Sequence, residues 1–430
     1  MIHFLSWPEG IACLLAVTAA AWPRRSLLLT TLGVVAITWI FGTAGVFLFP
    51  AAVGTLSLLL VFKSGRRWRI AGRFLAAGGA FFSILLCLVF PVPEAPVLTG
   101  HHPVGTLTVE LPADAVSPTL VAQIWYPARS GGNPVRSRWL PDPVLAPEPP
   151  FHRISHAFSN ATEGADLLDG PKKLPIVFYE HSWTGHRAEN VAQVEAMASH
   201  GFVVVAVDHP GQAERVRYAD GSVVPSRLPA QLDLSTDKAV SDFEALAEEC
   251  LSKRIVEIAR VRHALREGLA PKLEGRLALE QTGIFGFSFG GTCALRICSQ
   301  DASFVAGANE DGFFLGEDAP PGPFLFFDQE MPDWLSQPAV AGEGSAEELT
   351  RKSEGRIRAA MGRPDRERVI VDGTRHESFC DRIFTCRIPR LARTGTRPAA
   401  EVHDIITSRL VAFFSTYLAA HRGGKTPTGE

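Results

Sequence analysis

The sequence predicts an α/β protein, a mostly parallel central sheet flanked by helices, behind an N-terminal region of three or four transmembrane helices. Three observations predict it. From about residue 170 onward, short β-branched apolar runs alternate with stretches of helical spacing, as in a sheet covered on both faces. The stretch Gly283-Ile284-Phe285-Gly286-Phe287-Ser288-Phe289-Gly290-Gly291-Thr292 leads an apolar run through Gly-x-Ser-x-Gly into a helix-compatible segment. The third is compositional: Met1 to Phe90 is mostly apolar, and the remainder has the balance of a soluble protein.

Composition sets the outer limits. A chain of 430 residues, 46% hydrophobic, has room for more than one domain and a large core. A net charge of −3 gives no reason to expect nucleic acid as a partner.

Four apolar stretches open the chain: Gly10–Trp22, Leu27–Thr43, Gly45–Phe62 and Ile70–Phe90. Gly42 and Gly45 suit a tight reversal, and Pro50 is expected to kink the third stretch. The later three approach the roughly 20 residues that a spanning helix needs. A cleaved signal peptide accounts only for the first, which lacks a basic n-region, and leaves three unexplained. Arg24 and Arg25, then Lys63, Arg66, Arg67 and Arg69, form two basic clusters two spans apart. Both belong on the cytoplasmic side by the positive-inside rule, which delivers everything after Pro91 to the periplasmic or extracellular side of a multi-pass membrane protein.

The expected organisation is therefore a membrane anchor over 1–90, a connector over 91–102, a catalytic-type α/β domain over 103–420 and a flexible tail over 421–430. Pro91-Val-Pro-Glu-Ala-Pro96 is short and stiff. Val104–Glu110 and Thr119–Tyr126 read as a paired antiparallel opening to the sheet, and Gly131–Pro150 as a Pro-rich loop. Leu174–Tyr179 and Phe202–Val207 read as buried strands around a helix at Asn190–His200. A long amphipathic helix follows over Thr236–Glu267. Beyond the strand that enters the Ser288 motif, strands are expected at Phe304–Ala308, Phe324–Phe327 and Arg368–Val371. Helices are expected at Ala346–Ala360 and Glu401–Tyr417.

The order strand, sharp turn, helix is the context in which Gly-x-Ser-x-Gly forms a nucleophile elbow, the signature of the α/β-hydrolase fold. Gly286 and Gly290 flank Ser288 where strand and helix pass too closely for Cβ atoms, and the turn lifts the Ser288 hydroxyl above the sheet. The backbone N–H of Phe289 then lies at the helix start, where an oxyanion is stabilised. An activated serine needs a histidine base and a carboxylate to orient it, in the order Ser, acid, His.

Of the three histidines after Ser288, His421 lies in the polar tail and His403 opens the final helix. His376 follows a strand, at the carboxyl edge where catalytic groups of open sheets collect. For the acid, Asp311 and Asp328 each end a strand on that edge and spacing leaves them nearly equal; Glu310 points elsewhere than its neighbour. The loop Glu180-His181-Ser182-Trp183-Thr184-Gly185-His186-Arg187 is placed to supply a second oxyanion donor, the N–H of Trp183. His181 precedes the serine and so reads as structural. Cys293 and Cys298 read as core, and Cys380 and Cys386 as either a bridge or two thiols. No cysteine or histidine spacing suggests a metal site.

From about Pro103 to Leu418 the chain resembles type II platelet-activating-factor acetylhydrolases, and more loosely dienelactone-hydrolase-like esterases. The similar stretches are Glu180-His181-Ser182-Trp183, Ser199 through His209, Gly286-Phe287-Ser288-Phe289-Gly290-Gly291, Ala306 through Asp311, and His376-Glu377-Ser378-Phe379. The resemblance implies that the acid comes from the strand directly after the nucleophile helix, which is Asp311, and that the N–H of Trp183 serves the oxyanion. Two residues depart from the family pattern: Ser182 stands where glycine is usual and Phe287 where histidine is usual. The apolar N-terminal region has no counterpart in those soluble enzymes.

These readings combine into a membrane-anchored serine esterase that cleaves a small ester or a lipid through Ser288, His376 and Asp311. The scheme gives a cofactor or metal no task. Two other readings are an acyltransferase on the same scaffold and a membrane-bound binding module; the second predicts a broken triad.

Overall fold

A computed structural model describes residues 7–22, 24–41, 45–61, 63–131, 135–170, 172–332, 335 and 344–420. The expected tail over 421–430, and the reversal at Gly42, lie outside the described residues. The chain divides into two compact units. One comprises 1–94, Ala146–Ala157 and Phe384–Ala392; the other comprises Ala95–Leu145, Phe158–Ile383 and 393–430.

The larger unit is built on one ten-stranded sheet. Its strands are β1 (Val104–Leu111), β2 (Leu120–Pro127), β3 (Arg136–Arg138), β4 (Phe158–Glu163), β5 (Leu174–Glu180), β6 (Val203–Asp208), β9 (Leu277–Phe287), β10 (Phe304–Glu310), β11 (Phe324–Gln329) and β12 (Arg366–Val371). Two further strands, β7 (Arg215–Arg217) and β8 (Val223–Pro225), form a separate hairpin. The sheet order is β12-β11-β10-β9-β5-β6-β2-β1-β4-β3. From β12 to β6 every pairing is parallel; β2 then runs antiparallel to β6 and to β1. The central strands β5 and β6 are buried almost throughout, which is why their sequences are continuous apolar runs rather than alternating ones.

Helices α5 (Val191–Ser199), α6 (Asp237–Arg266), α7 (Phe289–Gln300), α8 (Ser345–Ala360) and α10 (Ala399–Ala420) cover the sheet. The sequence expectations omitted β3 and β4, within and just beyond the Pro-rich loop. Both are short and polar at one end of the sheet, and although their burial alternates, the buried positions are Ser137, Ser159 and Ala161, which leave no hydrophobic alternation in the sequence.

The smaller unit contains α1 (Trp7–Ala21), α2 (Arg25–Phe41), α3 (Phe49–Leu60), α4 (Arg66–Val89) and the four-residue α9 (Pro389–Ala392). Helices α3 and α4 meet through small residues. A Cβ on Gly54 would strike the Leu75 carbonyl, and one on Gly79 the Pro50 carbonyl. Ala51, Ala76 and Ala80 between them are fully buried. Arg153 donates to the Phe90 carbonyl at 2.9 Å, and Phe151 sets its ring edge-on to Phe90 at 5.6 Å.

The expectation of three or four spans needs correction. Only α4, at 24 residues, is long and apolar enough to cross a membrane among the described residues. At about 1.5 Å per residue the 15, 17 and 12 residues of α1, α2 and α3 reach at most roughly 26 Å, short of a hydrocarbon core of about 30 Å. The third stretch is shorter than its composition suggests because Pro50 does not kink a helix. It sits in the first turn of α3, after a separate 3₁₀ turn at Gly45–Leu48. All seven cysteines are thiols, so Cys380 and Cys386 form no bridge.

Candidate active site

The elbow between β9 and α7 holds Ser288 at φ 56° and ψ −121°, a region costing on the order of 1–3 kcal/mol for a residue with a side chain. Three glycines make this turn feasible. A Cβ on Gly286 would run into Gly290, one on Gly290 into the Glu180 carbonyl, and one on Gly291 into the Asn309 side chain. The Ser288 N–H donates to the Glu310 carbonyl at 2.8 Å, which ties the strained residue to β10.

His376 opens a short 3₁₀ turn after β12 and presents Nε2 to the Ser288 hydroxyl at 2.9 Å. Its Nδ1 donates to Asp311 Oδ2 at 2.6 Å. The Ser378 hydroxyl accepts from the N–H groups of Arg375 and Gly395, which fixes the turn from behind. Phe287 packs its ring on the imidazole, centroids 4.9 Å apart. Burial alone would lower the imidazole pKa. The hydrogen bond and charge of Asp311, with Glu377 and Glu189 behind it, outweigh burial and hold the pKa above the ordinary histidine value.

Asp311 also has a left-handed backbone, φ 57°. Asn309 makes that turn: its side-chain amide donates to the Gly312 carbonyl and accepts from the Gly312 N–H, both at 2.8 Å. The other carboxylate oxygen of Asp311 accepts from the Gln329 N–H at 2.9 Å. The two other acids considered from sequence are occupied elsewhere. Asp328 receives Arg368 Nε at 2.7 Å, and burial pushes its carboxyl up to about 6. Glu310 is fully buried, accepts from Asn190 at 3.2 Å, and is raised well above the usual carboxylate range by desolvation.

Phe289 is the first residue of α7, where the opening N–H groups of a helix lack intrahelical partners. Trp183 stands beside it, its ring edge-on to that of Phe289 at 5.0 Å, and its indole N–H donates to the Pro229 carbonyl at 3.0 Å. Ser288, His376, Asp311, Phe289 and Trp183 all line one cavity of about 450 Å³. Apolar side chains including Leu232, Phe243, Leu315 and Ile357 make up much of its wall. That volume is in the range of small-molecule sites. His181, in the same loop as Trp183, is fully buried, and burial together with the nearby Arg254 charge holds its pKa well below the ordinary histidine value.

The sheet topology and the Ser–His–Asp chain of hydrogen bonds are those of an α/β-hydrolase. The family profile described as "Platelet-activating factor acetylhydrolase, isoform II" matches residues 151–423, more than half of the chain, and the chain belongs to that family. It is similar to the platelet-activating factor acetylhydrolase of Cavia porcellus, 26% identical over 268 residues, covering 57% of this chain and 58% of the relative. The Bos taurus protein of the same name is 26% identical over 247 residues, 52% of each chain. The chain thus spans between half and three-fifths of the length of these relatives. Among solved structures, a ferulic acid esterase from Streptomyces cinnamoneus superposes with a TM-score of 0.58 at 21% identity. That match covers 78% of this chain and 95% of the esterase, and it speaks to the fold.

Proposed function

We propose that the protein is a serine esterase acting on carboxylic esters, and the observation that carries this reading is the relay Ser288–His376–Asp311 opening into an apolar cavity. Ser288 attacks the ester carbonyl while His376 Nε2 takes its proton. Asp311 holds the imidazole by Nδ1 and stabilises the imidazolium that forms. The N–H groups of Phe289 and Trp183 receive the oxyanion. His376 returns its proton to the departing alcohol, then accepts one from the water that hydrolyses the acyl-enzyme.

The test is direct. A fluorophosphonate probe is expected to label the protein at Ser288, and Ser288→Ala to abolish both labelling and ester turnover, a loss of several orders of magnitude. Labelling that persists in the alanine variant overturns the reading.

The finer features belong to the same proposal. Helix α4 exposes Phe74, Leu75, Phe81 and Phe82, and Arg66, Arg67 and Arg69 stand at its N-terminal end. These features support attachment to a bilayer through α4, with the basic end cytoplasmic and the esterase on the periplasmic or extracellular side. An esterase held at a membrane meets lipid esters at raised local concentration, which makes a lipid or another small apolar ester the substrate class proposed. Alkaline phosphatase fused after Glu430 in a bacterial host is expected to be active; cytoplasmic fluorescence of a fluorescent-protein fusion with no phosphatase activity contradicts that orientation.

A further inference from the structure

The loop that carries Trp183 is held by one side chain distant in sequence, Arg254, and by one just beyond the loop, Glu189. Two successive peptide units precede the Trp183 side chain, His181–Ser182 and Ser182–Trp183, and together they offer two carbonyls and two N–H groups. The His181 carbonyl accepts from Arg254 Nη1 at 2.7 Å. The Ser182 carbonyl accepts from Arg254 Nη2 at 3.2 Å and from His181 Nδ1 at 2.8 Å. The Ser182 N–H donates to Glu189 Oε2 at 2.8 Å, and the Ser182 hydroxyl donates to Glu189 Oε1 at 2.6 Å. Three of the four backbone groups are thereby taken. The fourth is the Trp183 N–H.

Its direction follows from covalent geometry. In a trans peptide the C=O and N–H point opposite ways. With the Ser182 carbonyl turned to Arg254, the Trp183 N–H must point away from Arg254. Trp183, Phe289 and Ser288 line the cavity, and Arg254 does not. Arg254 also lies 5.0 Å from the centroid of the Phe289 ring, under the residue whose N–H is the other donor. A planar fork suits this task, because two carbonyls and a ring face are met by one rigid group.

The guanidinium is completely buried, and the charges around it are matched. Nε donates to Gln212 at 2.9 Å, and Nη1 lies 3.4 Å from Glu180. Glu180 in turn meets His209 Nε2 at 3.0 Å, whose Nδ1 meets Glu257 at 2.6 Å. The surrounding carboxylates keep a buried cation tolerable, and none of them touches the cavity.

We propose that Arg254 and Glu189 are positioning residues for the oxyanion hole, clamping the His181–Trp183 backbone so that the Trp183 N–H faces the tetrahedral oxyanion. Within the clamp the Ser182 hydroxyl is an additional anchor to Glu189. This inference rests on the esterase reading above.

Arg254→Lys keeps the charge beside Glu180 but replaces the fork with a point donor that cannot hold two carbonyls and the ring face together. The expected result is a folded protein whose kcat falls about 10²-fold, in line with loss of one oxyanion donor, with KM within about twofold. Glu189→Gln keeps an acceptor for one Ser182 group only, and is expected to lower kcat about tenfold, again without a matching rise in KM. The fluorophosphonate labelling rate is expected to fall in parallel with kcat, because that probe also develops charge on an oxygen in the hole. A folded Arg254→Lys protein with kcat within threefold of the parent overturns the inference, as does a loss confined to KM. If Arg254→Lys does not fold, Glu189→Gln decides on the same criterion. Ser288→Ala separates the two levels: persistent turnover there removes the esterase reading, whereas its loss alongside normal Arg254→Lys and Glu189→Gln turnover removes only the clamp.

Discussion

At the scale of single residues, the proposed mechanism makes protonation of His376 set the working pH. The base acts when neutral, so kcat/KM rises as pH climbs through its pKa. Asp311 holds that pKa above the ordinary histidine value, so the acidic limb is expected to fall above about 6.5. Asp311→Asn removes the largest cause of the upward shift. It is expected to move the limb to lower pH and to lower turnover by roughly 10⁴-fold through the wrong imidazole tautomer. Asp328→Asn is expected to cost far less, because its carboxylate serves Arg368. A parent pH–rate profile with its acidic limb below 6.5, or a larger loss at Asp328, contradicts this. Ser288 and His376 are legible in the sequence because one sits in a local motif and the other in a loop at a strand end. Spacing cannot separate Asp311 from Asp328, since the deciding feature is the left-handed turn that Asn309 makes, and backbone sign is not written in residue order. Arg254 leaves a fainter trace: a charged residue on the stripe Leu251, Ile258, Val261, which reads as a buried helix face.

At the scale of elements, the β9–α7 elbow and helix α8 make the same substitution act in opposite directions. Gly290→Ala forces a Cβ onto the Glu180 carbonyl of β5, where backbone must shift, and is expected to cost about 2–4 kcal/mol. Gly355 lies inside α8 with nothing near its absent Cβ, so Gly355→Ala is expected to stabilise by about 0.5–1 kcal/mol. Denaturant titration of both variants checks the pair, and equal effects on the two would show that the close approach at the elbow is not what limits it. The buried strands β5, β6, β10 and β11 are readable because burial on both faces leaves uninterrupted apolar runs. Strands β3 and β4 are not, because edge pairing by Arg136–Arg138 and Phe158–Glu163 needs no apolar face. The length of α3 is obscured for a different reason: a proline inside an apolar stretch marks a first turn as readily as a kink.

For the molecule as a whole, the sequence suggests a cut near residue 90, but six alternating segments make up the two compact units. The clue lies in Phe151, Arg153 and Cys386, which look like ordinary domain residues until their partners are seen. Removing residues 1–94 takes away Phe90, the ring partner of Phe151, and the carbonyl that receives Arg153. The shortened chain is expected to aggregate in detergent-free buffer by size-exclusion chromatography, and a stable monomer there would show that Ala146–Ala157 and Phe384–Ala392 do not depend on the helices. The same interleaving imposes an order of events during synthesis. Residue 384 leaves the ribosome 290 residues after residue 94 (384 − 94), so at about 5–20 residues per second the four apolar helices wait roughly 15–60 s for their last partner segment. The four helices are thus made well before their unit can be finished, and throughout that interval their apolar surface must be sheltered by lipid or by a chaperone.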